Sequence, residues 1–106
     1  MSQERRVQHR AEVVLSLRVG VDGRTVVGTS ADISVGGLRA VLPGSLPFGT
    51  NVKVIIQLPA LPYESVIDAE VRWSRTEAEG GFSVGLQFLR VRPRETWAIN
   101  QILRGA

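Results

Sequence analysis

A chain of 106 residues with 43% apolar and 22% charged content makes one domain around a single modest core. With no cysteine and one histidine, His9, it lacks the parts for a disulfide framework, a thiol site, a histidine metal centre or a Ser-His triad. The net charge is +3, and every basic residue except Lys53 is arginine, whose planar fork suits phosphate and the guanine edge.

A GC-rich genome would produce the same arginine bias through its codons, so charge alone does not name a partner. No apolar run approaches the roughly 20 residues needed to span a bilayer, and no signal peptide precedes the first strand. A soluble, cytoplasmic protein is expected.

Residues 1–10 are polar and without a period, which predicts a basic arm that is mobile until something binds it. Val13, Leu15, Leu17 and Val19 then alternate with Val14, Ser16 and Arg18 and predict a first strand. Gly20-Val21-Asp22-Gly23 is a turn whose Asp-Gly pair suits a hairpin. A second strand runs from Thr25 to Val35, with Val27, Ala31, Ile33 and Val35 as its apolar parity. Leu38–Leu42 is a short third strand.

After a loop with Pro43, Gly44, Pro47 and Gly49, Val52, Val54, Ile56 and Leu58 mark a fourth strand, which Pro59 and Pro62 end. Ile67, Ala69, Val71 and Trp73 alternate with Asp68, Glu70, Arg72 and Ser74 in a fifth. Following a turn over 77–81, Phe82, Val84, Leu86 and Phe88 mark a sixth. Six short strands with one apolar face each imply an all-β, closed or nearly closed antiparallel barrel over 11–92. After Pro93 the period becomes helical: Ala98, Ile99, Ile102 and Leu103 share a face, predicting a C-terminal helix over 93–106 that covers a barrel end or an edge.

The most informative residues are Asp32-Ile33-Ser34-Val35-Gly36-Gly37. Strand alternation sends Asp32 and Ser34 away from the Ile33 stripe, so an acceptor and a hydroxyl are expected side by side on the outer wall. Gly36 and Gly37 follow where the chain turns and where a ligand could approach the backbone. A hairpin corner in which Asp32 and Ser34 cap local donors fits equally well. Upstream, Arg6 and Arg10 stand four apart with Arg5 beside them. By chance the Arg-x-x-x-Arg spacing occurs about once in such a chain, and Arg90 and Arg94 repeat it; the Asp-x-Ser-x-x-Gly pattern has a chance expectation of about 0.04.

Taken together, Arg6-Val7-Gln8-His9-Arg10 and Asp32-Ile33-Ser34-Val35-Gly36-Gly37 resemble the two signature motifs of PilZ domains, the bacterial cyclic di-GMP receptors. The resemblance covers essentially the whole chain, and Trp73 and Val84-Gly85-Leu86-Gln87-Phe88 are similar to that family's later strands. It implies a six-stranded PilZ-type barrel with a C-terminal helix and no catalytic activity. Its ligand, cyclic di-GMP, would be bound by Arg5, Arg6, Arg10, Asp32, Ser34, Gly36 and Gly37, with an unidentified protein partner downstream. Arginine at position 5, just before the first motif arginine, implies an intercalated pair of ligand molecules. No metal or resident cofactor is implied.

The residue chemistry agrees. Cyclic di-GMP offers two phosphates and two guanines; arginine forks bind phosphate or the O6/N7 edge, and a carboxylate complements guanine N1–H and N2–H. Ordering about six arm residues costs roughly 1–2 kcal/mol each, which two or three charge-assisted bonds of about 1.5–3 kcal/mol can offset. Ligand would thus turn a loose arm into a surface that a partner reads.

Other readings remain open at this stage. They are a PilZ-like adaptor that binds only protein, and a small barrel binding nucleic acid. The shared inward parity expected for Trp73, Phe82 and Phe88 argues against the latter, because such barrels stack bases on outward aromatics. The bland readings are a solvated tail for Arg5, Arg6 and Arg10, a solvated hinge for Arg90, Arg92 and Arg94, a spacer for His9, and packing for Trp73 and Trp97.

Overall fold

The computed structural model of the chain describes residues 9–105. Arg5, Arg6 and most of the predicted arm therefore lie outside the described residues. The strands are β1 (Ala11–Glu12), β2 (Ser16–Val21), β3 (Arg24–Ser34), β4 (Gly37–Leu42), β5 (Asn51–Ile56), β6 (Ser65–Thr76) and β7 (Phe82–Arg90), followed by helix α1 (Pro93–Arg104). They form one antiparallel sheet in the order β1-β3-β2-β5-β6-β7-β4, and a β3–β4 pairing closes it into a six-stranded barrel. The short β1 continues the line of β2 along β3.

Local rules account for the corners. Val21 pairs with Arg24, so Asp22 and Gly23 form a two-residue turn with φ of 51° and 76°, the left-handed pair that strand twist favours. The β6–β7 turn places Gly80 and Gly81 at φ 102° and 78°. The inward side chains, among them Val19, Ile33, Val54, Ile67, Val71 and Val84, are fully buried. Ala98, Ile99 and Leu103 of α1 join the same core. Pro93 opens the helix, and Glu95 accepts the Arg92 N–H at 3.3 Å, satisfying a first-turn donor.

The predicted first strand is broken. Residues 13–15 leave the ladder, and the buried Ser30 hydroxyl fills the gap by accepting from the Leu15 N–H at 2.9 Å and donating to the Val13 carbonyl at 2.5 Å. A bulge between Ser30 and Asp32 also corrects the parity expected for the second strand. Val35 is exposed because it sits in the β3–β4 turn; upstream of the bulge, Val27 is 68% exposed whereas Val26 packs on the core. One extra residue in a strand exchanges its two faces. Another bulge, between Val71 and Trp73, turns Trp73 outward, against the expectation of an inward aromatic.

Candidate functional site

The predicted acidic corner lies at the β3–β4 hairpin, where Ser34 pairs with Gly37. Asp32, just beyond the bulge, projects from the outer wall with its side chain 18% exposed. Arg10 reaches it from the chain entry and donates from Nε to Oδ1 at 3.0 Å. Arg39, paired with Asp32 across the hairpin, donates from Nε to Oδ2 at 3.1 Å. The carboxylate is therefore shared between two guanidiniums, and each oxygen retains acceptor capacity. The terminal nitrogens of Arg10 bond no described residue, so its fork can meet an anion.

Ser34 departs from expectation. Its side chain is fully buried rather than displayed beside Asp32. The hydroxyl accepts the Gly36 N–H at 3.2 Å and donates to the Gly37 carbonyl at 3.3 Å, which is the local capping role. Gly37 has a packing role as well. Neither Gly36 nor Gly37 has positive φ. A Cβ on Gly37 would run into the Leu86 carbonyl of β7, so glycine is required by strand packing. The Gly36 carbonyl accepts the Phe88 N–H at 2.8 Å and ties the same corner to β7.

Beside this corner lies a cavity of about 320 Å³, lined by Arg10, Gly36, Gly37, Arg39, Arg72 and Trp73 and floored by Gly85, Leu86 and Gln87 of β7. Trp73 is 37% exposed and seats its indole over Gly85, where a Cβ would collide with the ring. The Arg75 guanidinium lies 4.5 Å from the indole centroid, so a cation already rests on this π system. The structure thus gathers Arg10, Asp32, Gly36 and Gly37 with three residues not foreseen as site members: Arg39, Arg72 and Trp73. A glycine within an apolar strand signals close approach, so Gly85 was the legible clue to Trp73.

A larger cavity of about 640 Å³ lies elsewhere on the barrel wall, lined by Gly20, Arg24, Lys53, Ile55, Asp68 and Arg90 among others. Two of its charges pair with each other: Lys53 Nζ donates to Asp68 Oδ1 at 2.6 Å. That bond and the Lys53 charge hold the Asp68 carboxyl below its ordinary range. Neither predicted motif reaches this cavity. Among the described residues no cluster of three His, Asp or Glu could hold a metal, and no helix is long and apolar enough to cross a membrane.

The family profile described as PilZ domain matches residues 4–105. Among solved structures, MotI/DgrA, the inhibitor of motility of Bacillus subtilis, superposes with a TM-score of 0.82 at 21% identity, covering 99% of this chain and 51% of that one. The chain spans about half the length of that relative. The PilZ domain of YcgR from Escherichia coli, solved with c-di-GMP, gives 0.70 at 18% identity, covering 95% of this chain and 90% of that one. The PilZ domain of CeSA from a cellulose-synthesizing bacterium gives 0.64 at 18% identity, covering 92% and 96%. These likenesses establish the fold, and no curated protein matches the chain. The profile match spans nearly every residue, and on it the chain belongs to the PilZ domain family.

Proposed function

We propose that this chain is a cyclic di-GMP receptor that signals through a protein partner. The observation that carries the reading is the Arg10–Asp32 pair, whose arginine lines a cavity that also holds Trp73. A dianionic purine dinucleotide needs a guanidinium for phosphate, a carboxylate for the guanine N–H edge and an aromatic plane for stacking. All three converge here on the outer wall. The complex of the YcgR PilZ domain with c-di-GMP gives the same ligand to a protein of the same fold.

In this reading Arg10 turns its terminal nitrogens to a phosphate while Asp32 holds its Nε. A guanine takes the place of the Arg75 guanidinium on Trp73. Arg5 and Arg6 close over the ligand from the N-terminal side, with Arg5 favouring a second, stacked molecule. Gly36 and Gly37 shape one side of the cavity, and Ser34 acts by holding their turn. The closed arm changes the surface offered to the partner. Inward burial of Phe88 and half-burial of Phe82 leave Trp73 as the one outward strand aromatic among the described residues, a poor platform for a run of bases.

One observation favours a second reading, a protein-only adaptor: both Asp32 oxygens are already bonded to arginine without any nucleotide. Calorimetric titration separates the two. Cyclic di-GMP should bind at micromolar concentration or tighter with about two molecules per chain, and GTP and short single-stranded DNA should not. No heat with cyclic di-GMP would leave the adaptor, and a one-to-one stoichiometry would remove the role given to Arg5.

A further inference from the structure

Arg39 belongs to neither sequence motif, yet it is tied to the frame on more sides than any other arginine of the candidate face. Nε donates to Asp32 Oδ2 at 3.1 Å, and Nη1 donates to Ser83 Oγ at 3.0 Å. The same nitrogen lies 3.9 Å from Glu77 Oε2, and the Ser83 hydroxyl donates to that carboxylate. Ser83 is fully buried in β7, and Glu77 belongs to the turn that precedes it. The guanidinium therefore spans from β3 to the β6–β7 hairpin. Arg10 has no such anchorage: among the described residues its side chain bonds Asp32 alone.

The Asp32 carboxylate consequently has one oxygen pinned to the barrel and one offered to Arg10. A carboxylate free at both ends turns readily about its last torsion, and one held at Oδ2 does not. We propose that Arg39, although it lines the cavity, is a positioning residue: with Nε and Nη1 engaged by Asp32 and Ser83, it fixes Asp32, and through Asp32 it aims Arg10 into the cavity, without itself meeting the ligand. Its effect on affinity rests on the cyclic di-GMP reading above; its effect on Arg10 does not.

The test uses Arg39→Gln and Arg39→Lys in the full chain. In ¹⁵N spectra of ligand-free protein, the Arg10 Nε–H signal, identified by its loss in Arg10→Lys, should move to the position of a solvated arginine in Arg39→Gln. The melting temperature should stay within about 3 °C, since partly exposed ion pairs contribute little to stability and Ser83 keeps its bond to Glu77. Affinity for cyclic di-GMP should fall about ten-fold, the size expected when a charged hydrogen bond is misaimed. The slope of affinity against salt should not change, because no ligand-facing charge is lost.

Arg39→Lys should not rescue, as one ammonium lacks the rigid fork that reaches both Asp32 and Ser83. In an Asp32→Asn background, Arg39→Gln should alter affinity by less than about two-fold, the signature of action through a shared partner. An unmoved Arg10 signal overturns the proposal. So does a flattened salt slope, which would make Arg39 a phosphate contact. If the wild-type protein ignores cyclic di-GMP, the functional reading falls, and the Arg10 signal still decides whether Arg39 positions it.

Discussion

The indole of Trp73 on β6 occupies the space above Gly85 on β7, the strand it pairs with. The bulge after Val71 brings the ring to the outer wall, and the missing side chain at Gly85 lets it lie against the sheet. It forms one side of the cavity whose other side is Arg10.

If that ring stacks a guanine, Trp73→Ala should weaken cyclic di-GMP binding by roughly 1–3 kcal/mol, about 5- to 150-fold. Gly85→Ala should push the ring aside and weaken binding with the tryptophan still present. Indole emission, read in a Trp97→Phe background, should shift in Gly85→Ala before any ligand is added. Unchanged emission would mean that the ring does not rest on Gly85.

If the chain binds cyclic di-GMP as proposed, the arginines divide the work of holding its phosphates. Each charge-assisted bond supplies about 1.5–3 kcal/mol, against an ordering cost of roughly 1–2 kcal/mol per arm residue. Loss of one arginine leaves closure unfavourable, so Arg6→Ala or Arg10→Ala should each nearly abolish binding in calorimetry. Retention of affinity within a few-fold in either variant would show that the arm is not the clamp.

Asp32 and Ser34, neighbours in one motif, should separate by readout. Asp32→Ala removes two partly exposed ion pairs, so the melting temperature should barely move while cyclic di-GMP affinity falls. Ser34→Ala strips a buried corner of bonds to Gly36 and Gly37 and should cost about 1–3 kcal/mol of stability. In a domain of this size that lowers the melting temperature by about 4–8 °C per kcal/mol. Equal melting curves for the two variants would contradict the division.

Much of the architecture was legible because local chemistry enforces it. Asp22-Gly23 announced its hairpin, since few other pairs accept two positive φ angles in succession. Pro93 and the apolar spacing of Ala98, Ile99 and Leu103 announced the helix. The bulges were not legible. An inserted residue leaves no mark in composition, so Val27 read as inward and Trp73 as core, and both face outward. Ser34 obeyed strand parity in the reading, but the tight corner covers it. Arg39 was invisible for another reason: its value depends on meeting Asp32 across the hairpin and Ser83 across β7, contacts that exist only once the barrel closes.

Acid should weaken the far wall in one identifiable step. The Lys53 hydrogen bond and charge lower the Asp68 carboxyl below its ordinary value. A group depressed on folding contributes stability above its unfolded value and loses that contribution as pH falls through the folded one. The pair's contribution to stability should therefore be complete and independent of pH near neutrality and fall away below about pH 4. Asp68→Asn should remove that part of the slope. Because the pair is exposed, the difference should be small. A larger slope in Asp68→Asn than in the wild type would contradict the assignment.

The account stands most directly on where cyclic di-GMP touches the barrel, and ¹⁵N amide and indole spectra recorded during its titration read this residue by residue. Signals of Gly36, Gly37, Arg39, Gln87 and the Trp73 indole N–H should move together and saturate, while Gly20, Thr25 and Asn51 at the larger cavity stay still. Movement confined to Gly20, Lys53 and Arg90, or no movement anywhere, would contradict it.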